Sequence, residues 1–235
     1  MKDFFTEKKL NELENKLNTK FSNKKLLRRA LTHKSFANEN SDLKIKDNER
    51  LEFLGDSVLS LSISTYIFNK YDEYKEGKLA KIRSVIVSAP VLAEKAIEIN
   101  VGRHLLLGKG EELSGGRKRN SILADTMEAI LGAIYLDKGF DYAFEFIISN
   151  FKSFIFEVDN GNYIQDYKTM LQEVIQKNSN DRPEYEVVKE KGPDHNKEFY
   201  VVVYFENKEL GFGKGKSKKE AEQVAAKHAL EQLEN

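Results

Sequence analysis

Asp47-Asn48-Glu49-Arg50-Leu51-Glu52-Phe53-Leu54-Gly55-Asp56-Ser57-Val58-Leu59 is the stretch on which the reading of this chain turns. Its carboxylates at 49, 52 and 56 recur at i, i+3 and i+7, the spacing that stacks side chains on one face of an α-helix. At about 100° per residue, Leu51, Leu54, Val58 and Leu61 fall on roughly the opposite side, so the helix is predicted to be apolar behind and acidic in front. Carboxylates so placed repel one another and destabilise a bare helix by about a few tenths of a kcal/mol per pair; a bound divalent cation reverses that sign. Phe53 sits beside the acidic face, well away from the apolar one. An exposed aromatic at an acidic cluster points to a partner surface.

A second carboxylate pair lies in Ile122-Leu123-Ala124-Asp125-Thr126-Met127-Glu128-Ala129-Ile130-Leu131-Gly132. Asp125 and Glu128 are one turn apart, flanked on their own face by Ala129 and Gly132, while Leu123, Met127, Ile130, Leu131 and Ile134 point the other way. Small residues around acids leave room for an ion, its waters, or another helix. Bringing this face against the first would assemble Glu52, Asp56, Asp125 and Glu128 into an all-oxygen site, the ligand set of Mg²⁺ or Mn²⁺. Each pair alone is ordinarily a solvated helix face. Two in one small helical domain favour a metal site, whose natural chemistry is phosphodiester hydrolysis by an activated water. Glycoside hydrolysis also uses paired carboxylates, but no feature here supplies a sugar cleft.

Working outward, the 235 residues suffice for one sizeable core and a second small one. No apolar run approaches the roughly 18 residues that span a bilayer, and the N-terminus lacks an apolar segment of signal-peptide length, so a cytoplasmic protein with no membrane partner is expected. The absence of cysteine excludes a disulfide framework, thiolate metal sites and a Cys nucleophile. Net charge is zero, and residues 163–235 hold 12 basic against 14 acidic residues, leaving 26 and 24 before them. A nucleic-acid site must therefore be a local patch, and two qualify: Arg117-Lys118-Arg119 and Lys214-Gly-Lys216-Ser217-Lys218-Lys219.

From Phe4 to Asn160 the apolar spacing is helical almost throughout, with Ser22-Asn23 as a cap and Pro90 at a helix start. Asn38 to Asp47 reads as a loop, and Gly102 to Arg119 as turns and a loop. After Gly161 the pattern changes to a helix (Tyr163 to Gln176), three short strands (from Tyr185, Phe199 and Leu210) and a closing helix (Ser217 to Leu233). The expected fold is an all-α domain over 1–157, a linker at 158–162, and a small α+β module, α-β-β-β-α, over 163–235.

At the start of that closing helix, backbone N–H groups and the lysines at 214, 216, 218 and 219 suit phosphate oxygens; a merely capped, solvated helix start is the plain alternative. Gly213 and Gly215 permit close backbone approach under either reading. His33 and His104 are expected to be buried and hydrogen-bonded rather than ligands, and His228 has no obvious partner. His195 lies in the polar connection between the first two strands. No Ser-His-Asp or zinc spacing is present, and no nucleotide cofactor is expected.

Asn48-Glu-Arg-Leu-Glu-Phe-Leu-Gly-Asp-Ser-Val-Leu59 resembles the defining motif of the ribonuclease III family. Matching stretches follow in order: Ala30-Leu-Thr-His-Lys-Ser35, Glu76-Gly-Lys-Leu-Ala-Lys-Ile-Arg83, Gly115-Gly116 and Ser121 to Ala129. Tyr167 to Glu173 and Gly213 to Ala226 are similar to a double-stranded RNA-binding domain. The resemblance implies a homodimeric, Mg²⁺-dependent endonuclease that cuts double-stranded RNA, each subunit cutting one strand and leaving 5′-phosphate and 3′-hydroxyl ends, in the processing of rRNA precursors and other structured transcripts. It makes Glu52, Asp56, Asp125 and Glu128 the metal-binding catalytic carboxylates, with Glu49 and Glu76 as auxiliary acidic positions and Asn48 beside them. Phe53 matches the aromatic that inserts into the partner subunit. Thr169, Gln172, Glu173 and Gln176 would lie in one minor groove, the loop around His195 in the next, and the lysines with Ser217 on the intervening phosphates, a recognition of shape and 2′-hydroxyls rather than sequence. The competing readings are a non-catalytic double-stranded RNA-binding protein and a small-molecule phosphohydrolase.

Overall fold

In the computed structural model, which describes residues 6–160, 167–176, 179, 181–193 and 197–233, the chain divides into two units, 1–162 and 163–235. The first carries α1 (Glu7–Lys16), α2 (Lys24–Ala30), α3 (Lys34–Glu39), α4 (Glu49–Lys70), α5 (Glu76–Ile86), α6 (Ala89–Glu98), α7 (Lys109–Leu113), α8 (Asn120–Lys138) and α9 (Phe140–Asp159). The second carries α10 (Tyr167–Gln176), β1 (Glu184–Lys191), β2 (Glu198–Phe205), β3 (Lys208–Gly215) and α11 (Lys218–Leu233).

The first unit is organised on α8. Between Asn120 and Leu136 the sequence offers only Asp125 and Glu128 as charges, and a helix apolar nearly all round has to be enclosed. Ile122, Leu123, Met127, Ala129, Ile130, Leu131, Ala133 and Ile134 are all buried, with α4, α6, α9 and α2 packed around them. The closest crossing is with α4. A Cβ on Gly55 would collide with the Glu128 carbonyl oxygen, and one on Gly132 with the Leu51 carbonyl oxygen. Of an ion, its waters and another helix, it is a helix for which Gly132 makes room.

The remaining helices are tied in locally. Asn23 caps α2 by accepting the Lys25 N–H (3.1 Å). The Asp137 carboxylate at the end of α8 accepts the N–H groups of Ser22 (2.8 Å) and Asn23 (2.7 Å), pinning the start of α2. Pro90 falls in the first turn of α6, where its missing N–H costs nothing.

Three expectations change. The polar segment after Asn38 is not wholly loop: α3 runs to Glu39 and a 3₁₀ turn follows at Ser41–Leu43. The glycine-rich span 102–119 is largely short helices, with 3₁₀ turns at Val101–His104 and Gly116–Lys118 around α7. On α4 the buried residues are Leu51, Gly55, Val58, Leu59, Ser62, Ile63 and Ile67, whereas Leu61 is 55% exposed. Its side also carries exposed Phe53 and Phe68, about two turns before and after it. The small residues Gly55 and Ser62 draw the buried side away from the bearing that leucines alone suggested.

In the second unit β1, β2 and β3 form an antiparallel sheet in that order. Glu206 and Asn207 both have positive φ (50° and 62°), which closes the two-residue hairpin between β2 and β3 with the twist that flanking strands require. Leu171 and Ile175 of α10, Val201 and Val203 of β2, and Ala221, Ala225, Ala226, Ala229 and Leu230 of α11 make the core. Gly211, Gly213 and Gly215 lie against α11, where a Cβ on Gly213 would strike the Ala221 carbonyl and the Ala225 N–H. These glycines bring strand to helix, and that packing, not phosphate approach, requires them. Residues 161–166 lie outside the described residues, so α10 is described only from Tyr167.

Candidate active site and nucleic-acid interface

The α4–α8 crossing fixes the chemistry above it. Because Gly55 lets the backbones meet, Glu52, one turn earlier on α4, faces Asp125 and Glu128 on α8. Carboxylate oxygens of Glu52, Asp125 and Glu128 lie within 4.8 Å of one another, all half-buried. Asp56 is exposed and stands outside this trio, yet its charge acts on Glu128. Burial, then Asp56, Asp125 and Glu52, push the Glu128 carboxyl up to about 8. Burial, Asp125 and Glu49 raise Glu52, with Lys34 opposing them. Crowding of this kind is unfavourable among carboxylates alone and is relieved by a divalent cation, so the donor set fits hard, oxygen-preferring ions.

Glu49 points to the edge of this cluster, 3.0 Å from the Lys34 ammonium. Hydrogen bonding to Glu49 holds Lys34 above its ordinary range, with Glu52 and Asp125 contributing from further off. Asn48 is buried; its N–H donates to the Thr32 carbonyl (2.9 Å) and its amide to the Ala30 carbonyl (3.3 Å). Glu76 is not brought to the trio. It opens α5 and lines a groove with Thr65, Phe68, Leu79 and Arg83. Phe53 is 78% exposed.

Of the two basic patches, the first is a brace. Arg117 pairs with Glu112 and donates to the Gly102 and Leu105 carbonyls (2.9 Å each), and Arg119 pairs with Glu111. Those arginines tie the 102–119 segment together instead of facing a ligand.

The second patch is partly neutralised. Lys214 pairs with Glu198 (2.8 Å) and Lys218 with Glu190 (3.3 Å). Ser217 Oγ accepts the Glu220 N–H (3.1 Å) while the Glu220 carboxylate accepts the Lys216 N–H (2.7 Å), in the manner of a capping box. Thr169 and Gln172 line a polar groove with Arg182, Lys219 and Lys168, whose ammonium pairs with Glu222 (2.7 Å); Lys168 and Arg182 each stand alone in their segment, so the sequence does not signal them. Glu173 is half-buried on α10 and Gln176 exposed at its end. His195 lies outside the described residues.

The other histidines split. His33 is buried with Nδ1 against Ser35 Oγ (2.8 Å), as expected. His104 is buried but its Nδ1 has no hydrogen-bond partner, and burial lowers its pKa. His228 does have a partner, the Phe212 N–H of β3 (3.2 Å), which only the fold brings within reach.

Residues 23–154 match the family profile described as Ribonuclease-III-like, and residues 167–233 the Double-stranded RNA binding motif. The chain is 52% identical over 224 residues to Ribonuclease 3 of Caldanaerobacter subterraneus, covering 95% of this chain and 98% of that one. It is 48% identical over 226 residues to Ribonuclease 3 of Clostridium botulinum, covering 96% and 97%. A solved structure of the nuclease domain of ribonuclease III from Campylobacter jejuni, concerned with structural flexibility in a region involved in dimer formation, matches with a TM-score of 0.56 at 42% identity, over 61% of this chain and 99% of that one. A helical nuclease domain followed by a double-stranded RNA-binding module defines an endoribonuclease of duplex RNA. The chain belongs to the ribonuclease III family.

Proposed function

We propose that the chain hydrolyses phosphodiester bonds of double-stranded RNA with Mg²⁺, for which Mn²⁺ substitutes, and leaves 5′-phosphate and 3′-hydroxyl ends. The observation that carries the reading is the convergence of Glu52, Asp125 and Glu128 within 4.8 Å. These three, with Asp56, would hold the cation, which when bound supplies water activation and charge neutralisation at phosphorus. Glu128 gives up the proton it holds near neutral pH, and the half-buried walls of the crossing keep the carboxylates aimed at one point. Glu49 serves as an auxiliary acid at the rim of the trio, and Glu76 as one set apart from it, in the groove with Phe68 and Arg83.

Residues 1–157 carry the cutting, 158–162 join, and 163–235 grip the duplex. Thr169, Gln172, Glu173 and Gln176 face one minor groove and the connection holding His195 the next, with Lys214, Lys216, Ser217, Lys218 and Lys219 on the phosphates between. Two copies act together: exposed Phe53, Leu61 and Phe68 on one side of α4 support a second subunit there, with Phe53 seated in it. The substrates are rRNA precursors and other structured transcripts in the cytoplasm. Among the described residues no helix is long and apolar enough to cross a membrane.

The experiment is cleavage of a long RNA duplex by wild type and Glu128→Gln, with Mg²⁺ or with chelator. Cutting only by wild type with Mg²⁺, at equal duplex binding, supports the reading; cutting by Glu128→Gln at the wild-type rate rejects the site.

A further inference from the structure

A lysine stands at the rim of the carboxylate cluster. Lys34 opens α3, and its ammonium meets Glu49 with 58% and 53% of the two side chains exposed. The backbone beneath it is fixed. The Ser35 N–H donates to His33 Nδ1 (3.2 Å), and the Gly108 N–H donates to Ser35 Oγ (2.9 Å). Lys34 is therefore anchored at its base, while its tip is held only by the exposed pair with Glu49.

An exposed ion pair is weak, so Lys34 can exchange Glu49 for another anion at little cost. An RNA strand entering the site brings phosphates towards the carboxylates of Glu49, Glu52, Asp56 and Asp125, whose charge repels it. A compact ammonium on a flexible stem is suited to meeting a phosphate oxygen at that edge. The Arg117 and Arg119 side chains are engaged in their brace.

We propose that Lys34 leaves Glu49 to hold a phosphate of the bound strand beside the carboxylate site, and that Glu49 parks the ammonium when RNA is absent. The proposal rests on the duplex-cleavage reading and adds to it a substrate contact outside the carboxylates.

The test uses the full chain and a defined RNA duplex, with binding measured in chelator over a range of KCl and cleavage measured over a range of Mg²⁺. Lys34→Ala should lower kcat/KM about tenfold or more and shrink the slope of log affinity against log salt by about one. Lys34→Gln should match Lys34→Ala, and Lys34→Arg should restore most of the loss. The Mg²⁺ midpoint should stay at its wild-type value. Unchanged cleavage and salt slope in Lys34→Ala overturn the proposal, as does an unchanged slope with a shifted Mg²⁺ midpoint, which would mean that Lys34 acts only on the carboxylates. Wild type that neither binds nor cuts the duplex defeats the underlying reading instead.

Discussion

Gly55 on α4 and Glu128 on α8 meet backbone to backbone, so closely that the smallest side chain at position 55 would occupy the space of the Glu128 carbonyl oxygen. The same residue of α8 that closes the packing below supplies a carboxylate to the site above. Gly55→Ala should therefore cost about 1–3 kcal/mol or more in denaturant unfolding by overpacking. It should also weaken Mg²⁺ binding, measured by titration calorimetry, because the helices that aim the carboxylates are pushed apart. A variant with wild-type stability would mean that the crossing is looser than described.

Glu128 sets a pH signature. Its carboxyl is raised from 4.5 to about 8 in the folded chain, so between those values the folded state binds a proton that the unfolded chain has released. Stability of the cation-free protein then falls as pH rises through that window, the contribution being complete below about 4.5 and lost above about 8, a few kcal/mol at most. Denaturant melts at pH 5 and pH 8 in chelator should show the slope, and Glu128→Gln should flatten it.

Asp56 acts on Glu128 from outside the trio. Asp56→Asn should move the Glu128 titration, followed by carboxyl NMR, downward. It should also reduce cleavage about 100-fold or more, some 2.7 kcal/mol of barrier, while duplex binding in chelator is kept. Loss of binding together with cleavage would place Asp56 in the RNA grip instead.

In the second unit, Glu198 and Glu190 hold Lys214 and Lys218. Glu198→Gln should tighten duplex binding several-fold at low salt and steepen its salt dependence, since a freed lysine displaces one more counterion. Filter binding at two KCl concentrations decides it; weaker binding would mean that Glu198 orients Lys214 for the phosphates.

Gly213→Ala should unfold the second unit more easily by about 1–3 kcal/mol, because its methyl has nowhere to go against Ala221 and Ala225. Duplex affinity should fall accordingly. If affinity falls at full stability, Gly213 serves the RNA and not the packing.

The sequence made legible whatever local spacing encodes. The acidic face of α4, the Asp125–Glu128 pair and the order of elements in the second unit all follow from periods of 3.6 and 2. Contacts between elements are another matter. Nothing in the spacing of Gly55 and Gly132 says that they meet, so Ala129 and Gly132 were open to an ion, waters or a helix until the crossing chose the helix. The run Arg117-Lys118-Arg119 looked like a phosphate patch because its partners, Glu111 and Glu112, are carried back to it by the turn at Gly115, whose φ is +80°. His228 looked unpartnered because its acceptor role depends on β3 lying along α11. Lys34 is visible in the sequence only as one letter of a matching stretch; its meaning comes from the first residue of α3 meeting the first residue of α4.

The Asp137 carboxylate that pins Ser22 and Asn23 closes a loop of 115 residues. Joining ends so distant in the chain is slow compared with forming any single helix, since the loop entropy is spent before the contact returns anything. The Asp137 contact is therefore expected to form late, after α8 has packed on α4, α6 and α9. Weakening Asp137 should then hasten unfolding while leaving the folding rate almost untouched.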